Sequence, residues 1–246
     1  MNHSDHKQFW KRIFAVLFSA VVCMSFAAGC SHGASVQSET AAPQTTASVQ
    51  ETAAPALQTS APAPTDTHTP DAGCDALFYG DSITKGNHFD TYFPQLRIVD
   101  FGIGGATIES LTERVPEVSA CHPARIFVMA GGNNLYSCNE QECVDLFRGL
   151  LDALREACPY AEIFVESMLP TDNDVAAQWD CPNSVIRTFN KHLAELAAEY
   201  GMTYLDIYPA YEYRGGLDSS MTRDGVHLKS DSFGPWAEVL RPYLEP

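Results

Sequence analysis

The chain has 246 residues, and its 31 acidic against 15 basic side chains give a formal net charge of −16 at pH 7. This charge argues against nucleic acid and anionic lipid headgroups as partners, because neither is attracted to a strongly acidic protein. Neutral or soluble substrates fit better, although the charge also serves plain solubility.

The N-terminus has the pattern of a bacterial export signal. A positive segment at residues 7–12 precedes residues 13–29, which are apolar or small and carry no charge. This stretch ends in Ala27-Ala28-Gly29-Cys30, which resembles a lipobox and implies cleavage before Cys30 and lipidation of its thiol. An uncleaved membrane anchor is the alternative, since the apolar run is just long enough to span a bilayer. Both interpretations place the remainder outside the cytoplasm, held on the outer side of a bacterial membrane.

A tether follows the signal. Residues 31–70 are rich in Ala, Thr, Ser, Pro and Gln, and the sequence at 34–43 recurs with small changes at 47–55. Such a composition buries too little apolar surface to offset the entropy of ordering, so it predicts a disordered linker. The predicted organisation is therefore a signal peptide at 1–29, a lipidated cysteine with its linker at 30–70, and one globular domain at 71–246.

Cysteine usage predicts disulfides in the exported domain. Eight cysteines are present. Cys23 lies in the signal and Cys30 is the lipidation site, which leaves an even number in the domain. Cys138 and Cys143 are close enough in sequence to form a local bridge, and other pairings stay open. Zinc is the rival explanation, but no CxxC pair or histidine cluster supports it, so no metal site is predicted.

Five apolar runs predict buried strands, at residues 76–79, 97–99, 125–130, 162–167 and 203–207. Between the later runs, apolar residues recur at helical spacing in Glu140–Ala157 and Asn183–Tyr200, and a last amphipathic stretch covers 233–244. Strands that alternate with helices predict a parallel sheet covered on both faces. In such sheets, sites form beyond the carboxyl ends of the strands.

Chemically useful residues follow several of these strands. Ser82 comes directly after the first strand, and Asp224 and His227 come after the fifth. A serine hydroxyl becomes a nucleophile when a base takes its proton, and an aspartate near that base fixes its tautomer. Taken alone, an Asp-x-x-His turn is also a common surface feature, so the pair needs support from the rest of the chain.

Two further segments predict donors for an oxyanion. Gly104 and Gly105 follow the second strand, where a residue without a side chain leaves a backbone N–H open to a cleft. Asn133 follows two glycines after the third strand and offers a side-chain amide. Glycine and asparagine are also ordinary turn residues, which is the alternative explanation.

Taken together, these segments resemble the four blocks of the GDSL or SGNH hydrolase family. The blocks are Gly80-Asp81-Ser82-Ile83, Gly102-Ile103-Gly104-Gly105, Gly131-Gly132-Asn133-Asn134 and Asp224-Gly225-Val226-His227. The resemblance implies a three-layer, flavodoxin-like α/β fold with a five-stranded parallel sheet. It also implies that Ser82 is the nucleophile, Asp224 and His227 complete a triad, and Ser82 N–H, Gly105 N–H and the Asn133 amide form the oxyanion hole. No cofactor is implied.

The similar subgroup contains bacterial proteins like platelet-activating-factor acetylhydrolase catalytic subunits and sialate O-acetylesterases. The chain departs from its pattern at three places: Asp100 stands where asparagine is usual, Asn134 replaces the usual aspartate, and Ser232-Phe233 replaces a usual Gly-Tyr. The resemblance implies a serine esterase acting on short-chain, first of all acetyl, esters of carbohydrate, with the membrane contacted only through the lipid anchor. The alternatives are a lysophospholipase or short-chain lipid esterase, an acetyltransferase on envelope glycans, and a non-catalytic glycan-binding module. The loop at residues 171–182, with Trp179, is a candidate cover for the cleft.

Overall fold

The computed structural model describes residues 73–245. The predicted signal peptide, the lipidation site Cys30 and the linker lie outside the described residues. Within residues 73–245, no helix combines the length and apolar character that a membrane crossing requires.

Five parallel strands form the central sheet, in the spatial order β2-β1-β3-β4-β5. They are β1 (Ala76–Gly80), β2 (Ile98–Gly102), β3 (Arg125–Met129), β4 (Glu162–Glu166) and β5 (Thr203–Leu205). All five predicted strands are confirmed, and β2 differs most from its prediction because it continues to Gly102. Asp100 interrupts the apolar run that the prediction followed, yet it pairs with Phe78 of β1 in the sheet.

Helices cover the sheet on both faces. They are α1 (Phe89–Tyr92), α2 (Ile108–Glu113), α3 (Val115–Ala120), α4 (Gly132–Leu135), α5 (Glu140–Ala157), α6 (Asn173–Gln178), α7 (Asn183–Tyr200) and α8 (Gly234–Leu244). Helix α1 contacts α8, whereas α2, α3 and α7 all contact α5. Right-handed crossovers place these two groups on opposite faces of the sheet, which confirms the three-layer α/β fold.

A small hairpin follows the sheet, after a short 3-10 helix at Tyr208–Ala210. Its strands are β6 (Glu212–Tyr213) and β7 (Gly216–Leu217), which pair antiparallel as a separate two-stranded sheet. The hairpin lies between β5 and the segment that carries Asp224 and His227.

Stacked aromatic rings connect the sheet to the smaller helical layer. Phe78, Phe127 and Phe164 lie side by side on β1, β3 and β4, with ring centroids 4.8 and 4.6 Å apart. Phe89 of α1 and Tyr243 of α8 pack on the two ends of this row, at 4.5 and 5.3 Å. Burying such large side chains gives the central strands most of their stabilisation.

The cysteines correct the disulfide prediction. All six in the described part of the chain are free thiols: Cys74, Cys121, Cys138, Cys143, Cys158 and Cys181. Four of them are buried and pack as small apolar side chains, and burial raises the pKa of the Cys74 and Cys181 thiols to about 11. Core packing therefore accounts for these four, while Cys121 and Cys138 are partly exposed. Residues 73–245 also contain no group of three or more His, Cys, Asp or Glu side chains placed to hold a metal ion.

Glu166, the last residue of β4, is fully buried under α8. Its Oε1 accepts a hydrogen bond of 2.7 Å from the indole N–H of Trp236, while Oε2 has no hydrogen-bond partner among the described residues. Burial raises the pKa of Glu166 to about 8, against the lowering effect of the Trp236 bond. The folded protein therefore holds Glu166 protonated at neutral pH.

Glu166 makes folding stability depend on pH. Its pKa rises from the ordinary 4.5 to about 8 on folding, so between these values the folded state binds more protons than the unfolded state. We expect the free energy of unfolding to fall as pH rises through this window, by up to about 1.4 kcal/mol per pH unit. Glu166→Gln removes the titration. Urea unfolding at pH 5, 6.5 and 8 should therefore show a smaller decrease in the free energy of unfolding than in the wild type.

Glu162→Gln is the matched control, because Glu162 is on the same strand but at its exposed end. This variant should keep the wild-type slope of stability against pH. Equal slopes in Glu166→Gln and the wild type would contradict the raised pKa.

Candidate active site

Three predicted site residues meet at the carboxyl edge of the sheet. Ser82 follows β1, and its Oγ lies 2.9 Å from Nε2 of His227, although the two residues are 145 positions apart in sequence. Nδ1 of the same ring lies 2.7 Å from Oδ2 of Asp224. The structure thus brings together the hydroxyl, imidazole and carboxylate in the order that activates a serine.

The turn at Asp224 fixes the orientation of the imidazole. Oδ1 of Asp224 accepts the backbone N–H groups of Val226 and His227, at 3.1 and 2.8 Å. A carboxylate only accepts hydrogen bonds, so its other oxygen accepts one from the Nδ1–H of His227, which leaves Nε2 to accept from the Ser82 hydroxyl. Burial raises the pKa of Asp224, but the backbone and ring hydrogen bonds of His227 outweigh it and lower the pKa overall. Asp224 is therefore ionised, and it lies in the position that the predicted orienting partner of the imidazole requires.

Asp81 and Asp100 hold the backbone around Ser82. Asp81 is buried, and its Oδ1 accepts the N–H of Ile83 at 2.9 Å; burial raises its pKa to about 6. Asp100 of β2 accepts the N–H of Gly86 at 2.6 Å through one oxygen and that of Gly102 at 2.9 Å through the other. An asparagine offers one acceptor oxygen, whereas the aspartate offers two. Asp100 therefore holds the backbone at Gly86 and at Gly102 at the same time.

Gly105 lies beside the serine block with its backbone exposed. Its φ is +73°, a conformation that glycine adopts without strain. A Cβ at this position would meet no atom within 4 Å, so the glycine is required by its backbone conformation and not by crowding. Gly105 is thus an exposed residue at the carboxyl edge, and its part in an oxyanion hole stays a prediction.

Asn133 and Asn134 connect the third block to the second. Nδ2 of Asn133 donates to the carbonyl of Ala106 at 2.8 Å, which uses one of its two amide hydrogens. The other amide hydrogen has no hydrogen-bond partner within residues 73–245. Asn134 accepts from Ile108 N–H at 2.9 Å and donates to Oε2 of Glu109 at 2.8 Å. An aspartate could not donate the second bond. Glu109 therefore supplies an acceptor that suits the asparagine found here in place of the family's usual aspartate.

The loop after β4 is fastened to the turn that carries His227. The N–H of Asp172 donates to the carbonyl of Gly225 at 2.8 Å. A Cβ at Gly225 would lie 2.5 Å from Cγ2 of Val175, and the φ of Gly225 is +87°. On the other side, Trp179 packs edge-on against Tyr136, with ring centroids 4.8 Å apart. The loop therefore packs against the turn of His227 at one end and against Tyr136 at the other.

Sequence reasoning overlooked several residues that position the site. Asn183, at the start of α7, exchanges two hydrogen bonds with the backbone of Thr171, at 2.8 and 2.7 Å. Asp81 was noted only as part of a motif. A buried polar residue next to a reactive one is the signal in each case, but burial is not readable from a single sequence. The catalytic roles of Ser82, Asp224, His227, Gly105 and Asn133 remain predictions.

A protein-family model matches most of the described domain. Residues 78–231 match the model of the GDSL-like Lipase/Acylhydrolase family, which is more than half of the 246-residue chain. No curated protein matches the chain in sequence at a significant level.

Solved structures share the fold at low sequence identity. A protein from Streptococcus pneumonia, provisionally named a platelet activating factor, has a TM-score of 0.63 and 23% identity, over 72% of this chain and 86% of its own. A GDSL-like lipase from Bacteroides thetaiotaomicron has a TM-score of 0.61 and 20% identity, over 70% and 88%. A catalytic mutant of an acetylxylan esterase from Geobacillus stearothermophilus has a TM-score of 0.57 and 18% identity, over 71% and 95%.

Proposed function

The chain belongs to the GDSL-like lipase/acylhydrolase family and is a serine hydrolase, and we propose that it removes acetyl or other short acyl groups from carbohydrate outside the cytoplasm. The observation that carries the proposal is the contact of 2.9 Å between Ser82 Oγ and His227 Nε2, with Asp224 on the far side of the ring. Acetylxylan esterases among the structures of the same fold favour an acetylated glycan. The acidic chain also suits a neutral polymer better than an anionic membrane surface.

In the proposed mechanism, Ser82 gives its proton to Nε2 of His227 as Oγ bonds to the acyl carbon. The resulting oxyanion accepts hydrogen bonds from the N–H groups of Ser82 and Gly105 and from the Asn133 amide. His227 then protonates the sugar oxygen, the carbon–oxygen bond breaks, and the acyl group stays on Ser82. Water attacks this ester, His227 takes its proton, and the acid leaves as the proton returns to Ser82.

The location is proposed from the N-terminal sequence. The uncharged segment at 13–29 and the lipobox-like residues before Cys30 support export and lipid anchoring. The linker at 31–70 supports a domain that is tethered at a distance from the membrane, where a surface polymer is accessible. Membrane contact is proposed through the anchor alone.

We expect the purified chain to release acetate from acetylated xylo-oligosaccharides, with no acetate from the same glycan after chemical deacetylation. The kcat/KM for this substrate should exceed that for lysophosphatidylcholine, because the proposed substrates are short acyl esters of carbohydrate. Acetate is measured by coupled assay, and fatty acid by chromatography.

Other outcomes would assign a different function. Fatty acid release without acetate release would identify a lipid esterase, which the lipase description of the family keeps as the second candidate. Transfer of acetyl to an added glycan, in place of acetate release, would identify a transferase. Absence of all turnover and of fluorophosphonate labelling at Ser82 would leave a non-catalytic glycan-binding module.

A further inference from the structure

An exposed aromatic ring lies on the hairpin formed by β6 and β7. Tyr213 is 55% exposed, and Tyr160 at 87% is the other large hydrophobic side chain exposed among the described residues. The two differ in place. Tyr160 lies just before β4, at the amino edge of the sheet. Tyr213 belongs to a hairpin that is hydrogen-bonded to Thr171 and Asn173, in the loop that leaves the carboxyl end of β4 on the same edge as Ser82. An exposed aromatic on the catalytic side of the sheet is a candidate contact for substrate.

The hairpin presents Tyr213 in a fixed conformation. Its connection is the two-residue turn Arg214-Gly215, and both residues have positive φ, at 53° and 85°. This is the tight turn that suits the twist of a hairpin, but a positive φ is unfavourable for arginine. Leu217 anchors the base, since it is buried and its N–H donates to the carbonyl of Thr171 at 3.1 Å.

Arg214 adds a cation to the aromatic surface. Its guanidinium carbon lies 5.1 Å from the centroid of the Tyr213 ring, within the range of a cation–π contact. The guanidinium carries five N–H donors, which exceed what the ring contact uses. The turn therefore presents a planar donor group and an aromatic ring side by side at the surface.

The hairpin and the catalytic turn are attached to the same short helix. Asn173 of α6 donates to the carbonyl of Arg214 at 3.2 Å. The preceding residue, Asp172, donates to Gly225, two positions before His227. This bonded path limits the separation between the hairpin tip and His227 to on the order of 20 Å. A short oligosaccharide spans such a distance.

We propose that Tyr213 and Arg214 form a subsite for the glycan chain that carries the ester, away from the reacting sugar. This inference rests on the proposed function. The apolar face of a pyranose ring packs on Tyr213, while its hydroxyl oxygens accept hydrogen bonds from Arg214. Because the hairpin is preorganised, binding there costs little ordering entropy. The subsite contributes to binding of the polymer and has no part in the chemical step.

Tyr213→Ala tests the subsite. On acetylated xylo-oligosaccharides its KM should rise about 3- to 10-fold with kcat little changed, which is the range expected for loss of one aromatic contact. On p-nitrophenyl acetate, which has no glycan chain, both constants should match the wild type. Tyr213→Phe keeps the ring and should keep the wild-type KM. Tyr160→Ala is the matched control, and it should change neither KM nor kcat on either substrate.

Arg214→Gly provides a second variant that keeps the turn, since glycine adopts positive φ without strain. It should raise KM for the oligosaccharide while the melting temperature is retained. Unchanged KM in both Tyr213→Ala and Arg214→Gly, with the wild type active on the glycan, would overturn the subsite alone. A wild type that hydrolyses p-nitrophenyl acetate but no glycan ester would overturn the proposed substrate class and the subsite with it. A change of oligomeric state in Tyr213→Ala at unchanged KM would make the hairpin an interface between copies, which also overturns the subsite.

Discussion

Ser82→Ala is expected to lower kcat for p-nitrophenyl acetate by about 10⁴- to 10⁶-fold, because no other group can form the acyl-enzyme. Ser82 is half-buried at the end of β1, and its Oγ contacts His227 at 2.9 Å. Removing one oxygen there leaves the strand and the turn of His227 intact. The melting temperature should therefore stay within a few degrees of the wild-type value.

Ser230→Ala serves as the control, since Ser230 is exposed three residues after His227 and has no place in the triad. It should retain full turnover and full labelling of the chain by a fluorophosphonate, whereas Ser82→Ala should lose both. Turnover within tenfold of the wild type in Ser82→Ala would remove Ser82 from the mechanism, whatever the substrate.

Asp224→Asn is expected to lower kcat by about 10⁴-fold through the tautomer of His227. The amide oxygen replaces Oδ1, which accepts two backbone N–H groups, so the amide nitrogen takes the place of Oδ2 next to Nδ1. An N–H₂ donates, so Nδ1 of the ring must accept and Nε2 must carry the proton. Nε2 then has no lone pair for the Ser82 proton, although every heavy atom keeps its position.

Asp231→Asn is the parallel change at an exposed aspartate close to the same turn, and it should leave kcat unchanged. Circular dichroism and the melting temperature distinguish a wrong tautomer from a misfolded turn. A kcat within tenfold of the wild type in a folded Asp224→Asn variant would show that Asp224 does not orient the imidazole.

The strands and long helices were predictable because their burial leaves a pattern in the sequence. Continuous apolar runs marked the five strands, and Glu140–Ala157 and Asn183–Tyr200 were predicted with the bounds that the structure has. The four short helices between β1 and α5 were missed, since four to six residues complete too few turns to show a period. The hairpin was missed for the same reason, because strands of two residues cannot alternate.

The part of the site that depends on characteristic residue types after strands was predictable from the sequence. Serine, glycine, asparagine and histidine after successive strands converge because the carboxyl ends of parallel strands share one edge. Buried partners such as Asp81 and Asn183 were not predictable, since their role depends on which backbone groups the fold places beside them. Glu166 illustrates the same limit, because its sequence context gives no sign that Trp236, 70 positions away, covers it.

The two residues of the predicted catalytic pair, Ser82 and His227, are held in place by very different parts of the structure. The nucleophile is attached to β1, which has a strand on each side, whereas the base belongs to a turn held by a few loop contacts. Local opening costs less free energy in such a turn than in a central strand. We therefore expect heating or mild denaturant to disengage His227 while the sheet is still intact, so that inactivation precedes global unfolding. The half-life of activity at high temperature should then depend on this one surface turn. Cross-links there should lengthen it more than a larger core would.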